Sequence, residues 1–306
     1  MIQIKKKYAR ALSACAHYTL HCQKKSRFVL QFRMTFLKSF ALAFSTFSTL
    51  PTPRVEWNEK NIRYMMCAFP FVGAVISLFC DALFVFAVWL LHTDGRTISI
   101  PLCALAFTIL PVFVTGGIHL DGFMDTSDAL GSHAPREKKL EILKDSRAGA
   151  FAVLSCVLYF LSYFVFSYEL FDSFFGAKSA HRFENCFVRF MDFFPVSLIF
   201  FQSRLLSALS VATFPIAKKS GLVHTFKSAS AKRFTAFWCR GWFVAVSGCA
   251  IFLFGKSGIA VTASSLAVFL WYFVLTKRNF GGITGDTAGF FVQMSELISL
   301  ATFIFA

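Results

Sequence analysis

Apolar runs of about 20 residues recur along most of this chain, and they restrict its fold more than any other feature. Inside a bilayer the backbone has to satisfy its own hydrogen bonds, so such runs become helices. Spans are predicted at about 66–91, 98–118, 148–170, 190–214, 236–254, 257–275 and 290–306. The chain is 56% hydrophobic with a mean hydropathy of +0.61, above the roughly 45–50% apolar content of soluble domains. The expected fold is all-α: a polytopic membrane bundle of about seven spanning helices plus one short segment that does not cross. That segment, Phe36–Leu50, is too short to span and ends at Leu50-Pro51-Thr52-Pro53, where proline stops a helix. It reads as re-entrant or interfacial.

The net charge of +15 is spread over many loops, which argues against a nucleic-acid partner and for contact with anionic lipid. Its distribution also gives an orientation. With the basic N-terminus inside, the inside loops 51–65, 119–147, 215–235 and 276–289 carry most of the lysine and arginine, including Lys218, Lys219 and Lys227. The outside loops keep only Arg96, Lys178, Arg182, Arg189 and Lys256. The predicted location is a cell membrane, an inner membrane in a Gram-negative host. Residues 1–33 are basic and only weakly apolar, and they read as an extension outside the fold. Residues 34–306 read as one membrane domain. The nine cysteines form no CxxC pair and lie mostly in apolar spans, so they read as buried thiols.

In a chain this poor in charge, three carboxylates fall within eight positions: Asp121, Asp125 and Asp128. On a helix they stand at i, i+4 and i+7 and share one face. Like charges so placed repel. A hard cation such as Mg²⁺ removes the repulsion, since it accepts carboxylate oxygens and keeps waters and phosphates as its other ligands. The basic run Arg136, Lys138, Lys139, Lys144, Arg147 follows, and carboxylates beside basic residues suit phosphate chemistry. The bland alternative is an acidic helix start facing water. Lys144 and Arg147 either bind phosphate or anchor a positive-inside helix end.

A second polar stretch, Gly281-Gly282-Ile283-Thr284-Gly285-Asp286-Thr287, either admits a phosphate to its backbone or makes a turn; Asp286 could complete a metal site. Arg204 stands in mid-span and needs an anionic partner, either Asp81 or a substrate phosphate. Glu296 is a carboxylate inside the last span. His119 points away from the triad at helical spacing and reads as a hydrogen-bonding neighbour of the site.

Two stretches carry a resemblance. They are Thr115-Gly116-Gly117-Ile118-His119-Leu120-Asp121-Gly122-Phe123-Met124-Asp125-Thr126-Ser127-Asp128 and Glu141-Ile142-Leu143-Lys144-Asp145-Ser146-Arg147-Ala148-Gly149. Phe47-Ser48-Thr49-Leu50-Pro51-Thr52-Pro53, Phe69-Pro70-Phe71-Val72-Gly73, Arg204 with Phe214-Pro215, and Gly281–Asp286 support it. Over about residues 36–306 the chain resembles the cobalamin synthase family, adenosylcobinamide-GDP ribazoletransferase. It departs from the family at Ala129, where a glycine usually follows the third aspartate.

The resemblance implies a Mg²⁺-dependent transferase that joins adenosylcobinamide-GDP to α-ribazole or its 5′-phosphate and releases GMP. Carried onto this sequence, it implies metal ligands Asp121, Asp125 and Asp128, with Asp128 also the candidate base. It implies substrate contacts at Lys144, Arg147, Arg204, Thr284 and Asp286. Two other readings stay open. A CDP-alcohol-type membrane phosphotransferase also clusters aspartates, but Asp125-Thr126-Ser127-Asp128-Ala129 lacks its glycine and alanine-arginine spacing. A transporter with Asp81, Arg204 and Glu296 along a pathway leaves the triad unexplained.

Overall fold

A computed structural model gives the architecture and describes residues 33–94, 99–145, 147–176, 186–218 and 220–306. Nearly all of the proposed extension lies outside the described residues. The described residues form twelve helices in order: α1 over 33–47, α2 (Glu59–Ile62), α3 (Met65–Asp94), α4 (Ile100–Thr115), α5 (Ile118–Gly131), α6 (Arg136–Ile142), α7 (Ala150–Phe175), α8 (Cys186–Thr213), α9 (Leu222–Ala229), α10 (Lys232–Phe254), α11 (Lys256–Asn279) and α12 (Gly285–Ile304). The described residues hold no strand, only one parallel bridge between Ile216 and Ile283.

Among the described residues six helices are long and apolar enough to cross a membrane: α3, α7, α8, α10, α11 and α12. Their outer faces are apolar. On α7, Leu154, Leu158, Leu161 and Val165 stand at i, i+4, i+7 and i+11, each more than half exposed. On α10, Phe237 and Phe252 are 76% and 88% exposed. Apolar stripes of this kind suit lipid and would be an aggregation hazard in water. The chain is a multi-pass helical membrane protein. α8 lies at its centre, 78% buried along its apolar window against 17% for α10.

Contacts among helix ends define one face of the bundle. Thr49 N–H donates to the Val114 carbonyl (2.8 Å), Ala231 N–H to Arg63 (3.2 Å) and Ile283 N–H to Pro215 (2.8 Å). Lys139 Nζ donates to Asn279 Oδ1 at 2.7 Å. The start of α3 and the end of α4 are thus on the same face, so α4 carries the chain back across after α3. Its 16 residues reach about 24 Å, somewhat short of a hydrocarbon core of about 30 Å.

The expected span 98–118 ends early, at Thr115, because Gly116 and Gly117 both take positive φ (62° and 77°), a backbone that favours glycine. They turn the chain by 96° into α5. α5 then runs across the face, from the start of α12 to the start of α7. α1 also keeps to this face: Ser39 donates to the Asn61 carbonyl at 2.6 Å and Thr49, just past its end, bonds Val114. Both ends of 36–50 are thus on one face, as expected of a segment that does not cross.

A second boundary moves. The last span was expected from 290, yet α12 starts at Gly285, because Thr284 and Thr287 form a reciprocal capping box. The glycine-rich stretch therefore ends inside a helix, and Asp286 lies in its first turn.

The core divides along α3 and α8. One cluster, including Met65, Phe69, Leu205, Phe214 and Phe291, lies behind the functional face. The other, including Phe84, Phe107, Phe171, Phe193 and Phe200, fills the opposite half. Stacked and edge-on pairs such as Phe84–Phe193 (4.2 Å) fix the rings there.

Candidate active site

α5 is helical from Ile118 to Gly131, so the three aspartates share a face as their spacing predicts. The fold brings two of them, Asp121 and Asp128, to helix N-termini, where backbone N–H groups favour anions. Asp121 is in the first turn of α5. Asp128 lies against Gly149, the N-cap of α7; a Cβ on Gly149 would sit 2.2 and 2.3 Å from the two Asp128 carboxylate oxygens. Asp286 joins them from the first turn of α12. There α5 comes so close that a Cβ on Gly122 would meet the Asp286 carbonyl at 2.7 Å.

The four carboxylates interact. Partial burial, then the charges of Asp121, Asp286 and Asp128, push the Asp125 carboxyl up to about 6. Among the described residues, no three His, Cys, Asp or Glu side chains converge as a closed metal-ligand set. Mg²⁺ needs no such set. It uses one or two carboxylates and fills its shell with waters and substrate phosphates, and a mutually repelling aspartate cluster offers that donor chemistry. The residues present fit the ion.

Basic groups stand beside the carboxylates. A cleft of about 280 Å³ is lined by Lys144, Lys218, Ser220, Thr284 and Asp286, among others. Burial, set against attraction from Asp286, holds the Lys218 ammonium below the usual lysine range. Of the predicted substrate contacts, Lys144, Thr284 and Asp286 line this cleft. Thr284 also caps α12, accepting from Thr287 N–H at 3.2 Å.

Arg147 does not line the cleft. It forms a forked pair with Asp145, at 3.0 Å from Nε and 2.8 Å from Nη2, with its side chain 86% exposed. The pair holds the Asp145 carboxyl down near 2. Gly281 and Gly282 shape the loop: a Cβ would strike the Arg136 guanidinium at one and the 215–217 segment at the other. Their stretch is a packing turn, with Gly282 N–H donating to Thr276 and Ile283 N–H to Pro215.

The structure corrects the expectation for Arg204. Its carboxylate partner is not Asp81. Arg204 pairs with Glu296 on α12, both 1% exposed, while Asp81 accepts from Ser197 on α8. The pairing across α8 and α12 solves the cost of two intramembrane charges at once. His119 differs too. It is 5% exposed, lies 5.6–6.0 Å from the rings of Phe69 and Phe47, and its Nε2 has no hydrogen-bond partner.

Sequence reasoning missed two features. Lys218 reads in sequence only as one of several loop cations; its position three residues past Phe214-Pro215 was the available signal. The other is a second cavity of about 320 Å³, next to the basic cleft and sharing Leu222, Val223, Gly285 and Asp286 with it. Phe47, Phe69 and Phe226 form much of its wall, and they come from three helices far apart in the chain.

The pattern of the cobalamin-5-phosphate synthase family matches residues 39–304. Adenosylcobinamide-GDP ribazoletransferase of Lachnoclostridium phytofermentans is 34% identical over 268 residues, 87% of this chain and 93% of the relative. The protein of that name from Clostridium perfringens is 31% identical over 271 residues, 87% and 96%, and that of Geobacillus sp. is 31% identical over 263 residues, 84% and 91%. No solved structure matches the chain. A family pattern running from the first interfacial helix to the last span, with relatives matched along nearly their whole length, shows that this chain belongs to the cobalamin-5-phosphate synthase family of enzymes.

Proposed function

We propose that this enzyme joins adenosylcobinamide-GDP to α-ribazole, or to its 5′-phosphate, with release of GMP. The observation that carries the reading is the cluster Asp121, Asp125, Asp128 and Asp286 beside the cleft holding Lys144 and Lys218. The names of the relatives supply the corrinoid substrate and the transferred group. The acceptor's ribose hydroxyl oxygen attacks the phosphorus attached to the cobinamide arm. The new O–P bond forms as the bond to the GMP oxygen breaks, and GMP leaves with the electron pair. The hydroxyl proton passes to a carboxylate, for which Asp128 is the candidate. Lys144 and Lys218 hold the diphosphate by charge, and Asp286 orients groups at the junction of the two cavities.

Asp121, Asp125 and Asp128 are the residues that would hold Mg²⁺, one or two of them to any one ion. The bound ion supplies charge neutralisation to the diphosphate and to the leaving GMP. Positioning and electrostatics account for most of the acceleration in phosphoryl transfer. The active face is read as cytoplasmic from its lysines and arginines.

The test is GMP release by the purified protein in detergent. Release that requires both corrinoid-GDP and ribazole supports the reading. CMP release from a CDP-alcohol, or substrate movement into liposomes without turnover, would replace it.

A further inference from the structure

The basic cleft accounts for phosphates, but the neighbouring cavity is of another kind. Its walls are mostly apolar: Phe47, Met66, Phe69, Val211, Val223 and Phe226. Its volume, about 320 Å³, falls at the small end of organic-ligand sites. Asp121 and Asp286 mark its border with the carboxylate cluster. His119 also lines it, buried, with Nε2 lacking any partner. An unpaired buried nitrogen costs stability, and a ligand atom entering the cavity would supply the missing bond.

We propose that this cavity is the seat of the flat heterocyclic base of the ribazole, with His119 Nε2 hydrogen-bonded to its free ring nitrogen. The inference rests on the transferase reading above, and it deepens that reading by assigning one substrate to one cavity. The chemistry selects among the available groups. A corrin ring is far too large for the volume. Guanine presents several donors and acceptors along its edges, and most would be stranded against Phe and Val walls. A dimethylated benzimidazole presents apolar edges and one lone pair, which matches the Phe, Met and Val walls around the unpartnered His119 Nε2, with the polar lining groups Ser207, Asp121 and Asp286 left for the ribose. The base so seated leaves its ribose at the Asp121–Asp286 border, where the attacking hydroxyl is needed.

The full-length protein in detergent is tested by equilibrium binding of α-ribazole and of its indole analogue, in which C–H replaces the free ring nitrogen. The parent should bind the analogue about tenfold more weakly, the worth of one buried hydrogen bond. His119→Leu should bring the two ligands within about twofold of each other. His119→Gln keeps an N–H donor and should retain part of the preference.

Val211→Phe, at a position that lines this cavity and not the basic cleft, should raise the KM for α-ribazole and leave that for adenosylcobinamide-GDP unchanged. Equal binding of the two ligands by the parent would overturn the assignment. So would Val211→Phe acting on the corrinoid-GDP KM instead, which would put guanine in the cavity. If His119→Leu fails to fold, the parent's ligand preference and Val211→Phe decide the question. Binding needs no turnover, so the two readings fail separately. A parent that discriminates the ligands but releases no GMP sinks the transfer reading. A parent that releases GMP without discriminating sinks this one.

Discussion

Asp128 occupies space that any side chain at position 149 would need, since an alanine methyl there would fall 2.2 Å from its carboxylate. The backbone at Gly149 has φ −81°, which alanine adopts freely, so Gly149→Ala is a purely steric probe. It should displace Asp128 and lower turnover at least about tenfold, roughly 1.4 kcal/mol of barrier, while insertion and folding persist. Turnover by purified enzyme checks this; an unchanged rate would remove Asp128 from the chemistry. Asp121→Asn, Asp125→Asn and Asp128→Asn should each cost about a hundredfold or more, near 2.7 kcal/mol. The Mg²⁺ concentration for half-maximal rate should rise for the ligand variants, and stay put for one that is only the base. Near-normal, Mg²⁺-dependent rates in all three would reduce the cluster to a solvated helix end.

At the level of helices, α8 and α12 are tied by the buried pair Arg204–Glu296. Ser203 Oγ also donates to Glu296, at 3.2 Å. Breaking such a pair from one side strands a charge and costs about 3–5 kcal/mol. Arg204→Leu should therefore lower thermal stability in detergent sharply, and Arg204→Leu with Glu296→Leu should restore most of it. Recovery of turnover along with stability assigns the pair to structure. Stability recovered without turnover would return Arg204 to a role with substrate. The second critical contact is α5 on α12, where Gly122→Ala presses on the Asp286 backbone at 2.7–2.9 Å. Neither backbone can rotate away as a side chain would, so separation of Asp286 from the triad, and loss of activity, should follow.

For the whole molecule, the charged connections of one face meet around the aspartates, while the opposite ends of α7, α8, α10, α11 and α12 surround a separate cavity of about 540 Å³ lined by Leu170, Met191, Leu253, Ser257 and Phe303. The arrangement predicts a topology. Reporters fused after Lys139 or Lys227 should be cytoplasmic, and one after Lys178, in the α7–α8 connection outside the described residues, should be on the far side. A far-side signal at Lys139 would overturn both the orientation and the cytosolic active site.

Six of the seven expected spans and the aspartate face were legible in the sequence, because both depend on local periodicity: apolar run length sets a span, and a spacing of four and then three sets a face. The short helices α2, α6 and α9 carry no apolar run and were not. That residues 36–50 do not cross followed from length and prolines in the same way. What Arg204 pairs with was not legible, since Asp81 and Glu296 are both carboxylates in apolar runs and only the packing of α12 on α8 selects between them. Nor could the sequence order Lys144, Lys218 and Asp286 around one cleft, or turn Phe47, Phe69, Phe226 and His119 toward one cavity. Those residues lie on seven separate segments: α1, α3, α5, the α6–α7 and α8–α9 connections, α9 and α12. Their meeting depends on the 96° turn at Gly116–Gly117, which lays α5 across the ends of α7 and α12, and no local pattern records where that helix comes to rest.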